Sequence, residues 1–269
     1  MSLVPKIVAI VNITEDSFSD GGRYLAPEAA VAHARAQAAA GADLLELGPA
    51  SSNPDADLVS PKDQIARLEP VVSALADDGL PLSIDATEPR VLSWALDAGV
   101  SMVNDVRGFP DPETQARLAD ASANAVVVHS LLERARATRD RATPEQVLDS
   151  IERFFDKRLG ELVAAGVAEE RLIVDPGMGF FLGSDPRASI AVLQRIPALR
   201  ARFGRPVFIS VSRKSFLRKL TNRPVDSVGA ATLAAELWAA QAGADYLRTH
   251  DAAALRDGLT ITKILSEER

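Results

Sequence analysis

The chain has 269 residues, 47% hydrophobic and 25% charged, a balance that suits a globular protein and excludes collagen-like and intrinsically disordered chains. Its net charge of −7 argues against a general nucleic-acid binder, which presents a basic face, so an anionic ligand needs cations concentrated locally. With no cysteine, disulfides, thiolate catalysis and cysteine–zinc centres are excluded.

The first six residues lead almost directly into an apolar run, without the charged segment and cleavage site of a secretory signal. No stretch of about 18 uncharged apolar residues follows. Neither export nor a membrane span is expected, and the cytoplasm is the expected compartment. Short β-branched or aliphatic runs then alternate with longer alanine- and leucine-rich segments. The patterning predicts strands over 7–12, 43–47, 81–85, 101–105, 125–129, 172–175, 207–211 and 245–248, each mostly apolar, as for strands buried on both faces of a parallel sheet. Helical patterns lie between them, over 27–40, from Ser60-Pro61 onward, and over 87–98, 111–119, 143–165, 185–201, 227–242 and 252–266. Ser60-Pro61 is a serine cap with proline at the first helical position. Eight strand–helix units predict a (β/α)₈ barrel, with a doubly wound open sheet as the alternative. No linker or low-complexity tract divides the chain, so one domain over 1–269 is expected. The arginines 134, 136, 139 and 141 read as a solvated loop.

In a barrel the chemistry sits at the C-terminal ends of the strands. Here those ends carry Asn12, Asp85, Asn104-Asp105, His129, Asp175, Ser212-Arg213-Lys214 and Arg248-Thr249-His250. The second strand ends instead in Gly48-Pro49-Ala50-Ser51-Ser52. A single aspartate after a strand is as often the cap of the next helix, but a whole rim of polar residues is harder to explain that way. Asp85, Asn104 and Asp175 converging would suit a planar, nitrogen-rich heterocycle, since carboxylates accept from ring N–H and amino groups while an amide both donates and accepts. Arg213, Lys214 and Arg248 follow strands seven and eight, where barrels often bind phosphate; a salt bridge to rim carboxylates is the plainer alternative. His129 ends an apolar run and fits a packed histidine as well as a functional one. The polar, glycine-ended loop 14–22 reads as a surface loop or as a lid over a charged substrate. An oxygen ligand such as Asn12, together with substrate phosphate, would suit magnesium.

Taken together, one motif per strand end and in this order, the chain resembles dihydropteroate synthase, of the pterin-binding barrels, over essentially its full length. The motifs are Asn12-Ile13-Thr14-Glu15-Asp16-Ser17-Phe18-Ser19-Asp20-Gly21-Gly22, Ser83-Ile84-Asp85, Asn104-Asp105, His129, Asp175-Pro176-Gly177-Met178-Gly179-Phe180, Ser212-Arg213-Lys214-Ser215 and Arg248-Thr249-His250. The resemblance implies that 6-hydroxymethyl-7,8-dihydropterin diphosphate is joined to 4-aminobenzoate with release of diphosphate, on the route to folate, assisted by Mg2+. It implies pterin contacts from Asp85, Asn104, Asp175 and Lys214, with Arg248 stacked on the pterin near the diphosphate. It implies diphosphate and magnesium contacts from Asn12 and His250, and a 4-aminobenzoate pocket from Phe180, Lys214 and Ser212. Asp16, Ser17 and Phe18 of the first loop, and Ser51 and Ser52 of the second, would order over the substrates. A homodimer is implied as well.

The departures from the family pattern are as telling. Glu15 stands where the family has proline, Asn53 where it has arginine, Ser52 where it has threonine, and Phe181-Leu182 where it has glycine and lysine. Gly48-Pro49-Ala50, the stretch 178–182 and the stretch 208–217 are similar to the acquired, sulfonamide-insensitive members. Sulfonamides mimic 4-aminobenzoate but carry a further substituent, so an added aromatic, Phe181, would clash with the drug and spare the substrate; packing of Phe181 on a neighbouring loop is the simpler alternative. Two other functions compete. One is a pterin-binding homologue without turnover, supported only by Glu15 and Asn53. The other is a pterin-barrel methyltransferase, which would not need the Ser212-Arg213-Lys214-Ser215 sequence.

Overall fold

Eight short strands pair in parallel around a single sheet: β1 (Lys6–Asn12), β2 (Leu44–Gly48), β3 (Leu82–Asp85), β4 (Met102–Asp105), β5 (Asn124–Val128), β6 (Leu172–Asp175), β7 (Phe208–Ile209) and β8 (Tyr246–Thr249). This is seen in a computed structural model that describes residues 4–14, 27–50, 58–131 and 142–267. The hydrogen-bonded order runs β6-β5-β4-β3-β2-β1-β8-β7. A single parallel bridge between Val174 and Val207 brings β7 back to β6, so the sheet is a nearly closed barrel and the open-sheet alternative is set aside. Outside it, among the described residues, lie α1 (Pro27–Ala39), α2 (Pro61–Asp77), α3 (Pro89–Asp97), α4 (Pro112–Asp120), α5 (Pro144–Ala164), α6 (Pro186–Phe203), α7 (Ser215–Thr221), α8 (Gly229–Gln241) and α9 (Ala252–Glu267).

The starts of these helices are written in the sequence. Six of them open on proline, whose fixed φ and missing N–H suit the first helical turn. Ser60 and Asp111 accept the backbone N–H of Asp63 and Thr114, at 3.2 and 2.7 Å, and Thr143 forms a reciprocal capping box with Gln146. One segment departs from the pattern. The helix expected over 227–242 is preceded by a separate helix, α7, which ends at Asn222 in a left-handed conformation. Asn222 followed by Pro224 is the stop signal. Strand β7 is also shorter than the expected 207–211, because the chain turns where the Lys214 N–H reaches the Val211 carbonyl at 3.1 Å.

The period of two along each strand divides the side chains. Outward positions such as Ile7, Ala9, Leu45, Leu47, Ile84 and Val103 join the helices in the main apolar core. Inward positions form a second, smaller cluster of Val8, Leu44, Met102, Val126, Val128, Ile173 and Phe208, which fills the barrel. Toward the C-terminal ends of the strands the inward positions turn polar: Glu46, Ser83, Asp85, Asn104, Asp175 and Arg248. The apolar plug below therefore forms the floor of a charged pocket above.

On its side away from β6, β7 is secured to β8 by Asp245. Its carboxylate accepts the Val207 N–H at 2.8 Å and an Arg200 Nη1–H at 2.6 Å, while its carbonyl accepts the Lys6 N–H at 2.8 Å. One residue thus ties β7, β8, β1 and α6 together. Asp245→Ala leaves the part-buried Val207 N–H unsatisfied, and urea unfolding should show a loss of about 1–3 kcal/mol; a loss below about 0.5 kcal/mol, within the range of ordinary surface changes, would remove Asp245 from the β7–β8 seam.

Candidate active site

The polar layer is built around a carboxylate on β2. Glu46 is fully buried. Its Oε2 accepts from Asn104 Nδ2 at 3.0 Å and from Ser83 Oγ at 3.3 Å, and its Oε1 is ion-paired with Arg248 Nε. Arg248 also donates from Nη2 to Asp85 Oδ2 at 2.9 Å. Across the pocket, Asp175 Oδ1 accepts the Gly177 N–H at 2.7 Å. Lys214 stands within electrostatic reach of Asp175, Asp85 and Glu46. Asp85, Asn104, Asp175, Lys214 and Arg248 share one pocket with Val106, Val128, Met178, Phe181 and Ser210.

Burial governs the protonation of these groups. It pushes the Asp85 carboxyl up to about 6, against the opposing pull of Arg248. It pushes Asp175 up to about 7, although the Gly177 N–H, Lys214 and Arg248 favour its charged form. It pushes the Lys214 ammonium down to about 8, with Arg248 acting in the same direction and Asp175 and Asp85 against it. His250 is held well below the usual histidine range by burial, then by Arg213, Arg248 and Lys214. It works as a neutral ring. Ser212 Oγ accepts the His250 N–H at 3.2 Å and lies 2.9 Å from Nδ1. When the hydroxyl donates to Nδ1, the neutral ring carries its proton on Nε2 and can offer it to an anion.

The turn after β6 is shaped by glycines. Gly177 has φ +77°, and a Cβ there would stand 2.3 Å from the His129 carbonyl oxygen. This close approach lets the Gly177 N–H reach Asp175. Gly179, at φ +65°, backs directly onto Lys214 and Ser215. The two phenylalanines that follow diverge. Phe180 is 52% exposed, whereas Phe181 lines the pocket with its ring centroid 4.7 Å from Lys214 Nζ, and its carbonyl accepts the Leu131 N–H at 2.8 Å.

The structure thus brings together Asp85, Asn104, Asp175, Lys214 and Arg248 of the residues expected from sequence, with Phe181 beside them. Ser212 is buried and paired with His250 near the same rim. Phe180 points to solvent, so of the two aromatics it is Phe181 that forms a wall. The salt-bridge alternative holds for Arg248, whose guanidinium lies along the carboxylates of the wall. Asn12 ends β1 opposite Gly48. His129 is a packed histidine: Nδ1 lies 3.2 Å from the Pro176 carbonyl, Nε2 lies 3.1 Å from Ser150 Oγ, and the ring meets Phe154 edge-on. Asp105 faces away from the pocket and accepts the N–H groups of Arg107 and Phe109 at 2.9 and 2.8 Å. Asp16, Ser17, Phe18, Ser51 and Ser52, like Glu15, Asn53 and the arginines of 134–141, lie outside the described residues.

Sequence reasoning missed two members of the site. Glu46 sits inside the strand Leu44-Leu45-Glu46-Leu47 rather than at its end; a lone acid at an inward position of an apolar strand was the available signal. Ser210 lines the pocket with a buried Oγ that has no hydrogen-bond partner, open to a ligand. No simple pattern marked it.

Comparison with known proteins places this architecture. The pterin-binding enzyme family matches residues 8–250. Dihydropteroate synthase type-2 of Escherichia coli is 54% identical over 261 residues, covering 97% of this chain and 96% of the relative. The type-3 enzyme of Escherichia coli is 49% identical over 260 residues, covering 97% and 99%. The dihydropteroate synthase of Xanthomonas albilineans has been solved with 7,8-dihydropteroate, at 35% identity and TM-score 0.83, covering 97% of this chain and 94% of that one. It has also been solved with 4-aminobenzoic acid, at 37% identity and TM-score 0.87, covering 97% and 93%.

Proposed function

The chain belongs to the pterin-binding enzyme family, among its dihydropteroate synthases, and from that premise we propose how its pocket works: Asp85, Asn104, Asp175 and Lys214 hold the pterin of 6-hydroxymethyl-7,8-dihydropterin diphosphate while 4-aminobenzoate attacks and diphosphate leaves. The observation that carries this reading is the convergence of two carboxylates, an amide and a lysine in one buried pocket. The carboxylates accept from ring N–H and amino groups, and Lys214 donates to a ring acceptor.

The C–O bond to diphosphate breaks, a C–N bond forms at the same methylene carbon, and the anilinium so formed gives its proton to solvent water. Positive charge develops on the pterin as diphosphate departs, and the carboxylates beneath it favour that charge. The leaving group faces the other way, toward Arg213, Arg248 and the Nε2–H of neutral His250. The neutral aniline attacks without a strong base, which is consistent with a pocket whose acids hold the heterocycle. Magnesium, when bound, adds positive charge to the departing diphosphate. Among the described residues no three histidine, aspartate or glutamate side chains gather into a metal cage, and Asn12, at the end of β1, would offer an amide oxygen; magnesium is commonly held by few protein groups plus substrate phosphates. Asp16, Ser17, Phe18, Ser51 and Ser52 are proposed to close over both substrates.

Asp175 must be ionised to accept, and burial sets its proton affinity near 7. Lys214 must be charged to donate, and it loses its proton near 8. The profile of kcat/KM for the pterin substrate should therefore rise through about pH 7 and fall above about pH 8. Asp175→Asn should lower kcat/KM by roughly 100-fold and move the acid limb down toward about pH 6, where Asp85 titrates, with thermal unfolding nearly unchanged. Diphosphate release followed across pH checks both; a folded variant with wild-type rate would take Asp175 out of the site.

Insensitivity to sulfonamides is the second part of the proposal. Phe181 stands over Lys214 at the pocket wall, where the family pattern has a residue without a side chain. A ring there narrows the space beyond the 4-aminobenzoate carboxylate, so that a drug substituent clashes and the substrate fits. Phe181→Gly should restore inhibition by a sulfonamide, lowering its inhibition constant at least tenfold, while the Michaelis constant for the aromatic amine substrate changes less; unchanged inhibition would leave Phe181 as packing alone.

A homodimer is proposed as well. Trp238 on α8 and Ile261, Ile264 and Leu265 on α9 are exposed apolar side chains on neighbouring helices. Light scattering should give about twice the chain mass, and a monomer mass at micromolar concentration would set this aside.

A further inference from the structure

We infer that Glu46 is the positioning residue of the pterin pocket, fixing which way the Asn104 amide and the Arg248 guanidinium face. The inference rests on the pocket assignment above. The amide of an asparagine has two nearly isosteric orientations, one presenting a carbonyl oxygen and the other an NH₂ group. A carboxylate only accepts, so with Glu46 Oε2 3.0 Å from the amide the NH₂ must turn to Glu46. Oδ1 is then the amide atom left to the substrate. Asn104 thereby joins Asp85 and Asp175 in presenting acceptors, which suits the amino and N–H edge of a pterin.

Arg248 is held in the same way. Its Nε pairs with Glu46 and its Nη2 with Asp85, so two edges of the planar guanidinium are fixed before substrate arrives. Glu46 reaches no substrate position of its own: it is fully buried behind these side chains and does not line the pocket. Packing does not require it either. The neighbouring inward position on the same strand is Leu44, within the apolar plug, and an apolar residue avoids the desolvation cost that a buried carboxylate carries. Its position is explained by what it orients.

The test exchanges the two groups. In Glu46→Gln the introduced amide either accepts or donates, so Asn104 is no longer held, and the Kd for 6-hydroxymethyl-7,8-dihydropterin diphosphate should rise about tenfold, with the Michaelis constant for the aromatic amine substrate unchanged. In Asn104→Asp two carboxylates meet and must share a proton, and pterin binding should weaken as well. Combining Glu46→Gln with Asn104→Asp restores a donor–acceptor pair of reversed polarity, with an acceptor still facing the substrate and the pocket charge unaltered. Its Kd should return to within about threefold of wild type, the non-additivity expected of directly paired groups. Glu46→Asp, which keeps the charge and withdraws the carboxylate by one methylene, should weaken pterin binding in the same direction and serves where Glu46→Gln does not fold. Wild-type pterin affinity in Glu46→Gln or Glu46→Asp, or simple additivity in the double variant, would overturn the inference. Asp175→Asn separates it from the reading beneath: if that variant also binds pterin as wild type does, the pocket assignment fails; if it weakens binding while the Glu46 variants do not, only the role of Glu46 fails.

Discussion

The constraint on which this molecule turns is the burial of charge in the upper interior of the barrel. Glu46, Asp85, Asp175, Lys214 and Arg248 occupy the upper interior, and each loses hydration there. Such groups persist only where geometry supplies partners. Here Arg248 bridges Glu46 and Asp85, Asn104 and Ser83 satisfy Glu46, and the Gly177 N–H reaches Asp175. The partners come from β2, β3, β4, β8 and the turn after β6, which are remote in sequence. A barrel is the device that holds them in register, because β1 to β5 and β8 are paired on both sides by ladders of backbone hydrogen bonds, and β6 and β7 on one side with a single bridge between them.

The two ends of the barrel use charge differently. At the N-terminal end Asp43 accepts the Ile7 N–H at 2.8 Å and pairs with Arg256, and Asp245 ties the seam between β7 and β8. These aspartates stand just before β2 and β8 and satisfy backbone groups. At the C-terminal end Asp85 and Asp175 face one another across a pocket, and desolvation displaces their protonation upward. Residue type is the same at both ends; what differs is that Asp85 and Asp175 line an open pocket, although Asp175 also accepts a backbone N–H, whereas Asp43 and Asp245 are occupied by backbone donors and arginines. That difference separates stabilising from chemical roles in this fold.

The fold was legible in the sequence because its signals are local. Short apolar runs, prolines at helix starts and caps such as Ser60 and Asp111 each act within a few residues, and the barrel follows from their alternation. Most of the pocket was legible for a related reason: strand ends are recognisable, and Asp85, Asn104, Asp175, Lys214 and Arg248 sit on them. Glu46 escaped because its role depends on the direction of a side chain in mid-strand and on partners 37, 58 and 202 positions away in the chain. Phe180 and Phe181 show the same limit. They are adjacent and chemically identical, and only the backbone path after Gly177 and Gly179 turns one to solvent and the other onto Lys214. Where β7 ends and α7 begins was likewise set by a turn rather than by periodicity.

The arrangement has an electrical direction that follows from these positions. Inside the barrel three carboxylates face two cations, so the pocket carries a negative surplus where a heterocycle would rest once pH exceeds about 7 and Asp175 is ionised. At the rim burial keeps His250 neutral, with Arg213 and Arg248 acting in the same direction, and those two guanidinium groups make the surroundings positive where a diphosphate would leave. Breaking a carbon–oxygen bond between those two places separates charge along a field already present. Water would have to reorient to supply such a field, whereas strand-anchored side chains already stand in place, and that lowers the barrier. Glu46 matters to this polarity as well as to hydrogen bonding: it is the carboxylate that holds Arg248 against the wall, where the guanidinium balances the acids below it and still adds to the positive rim above.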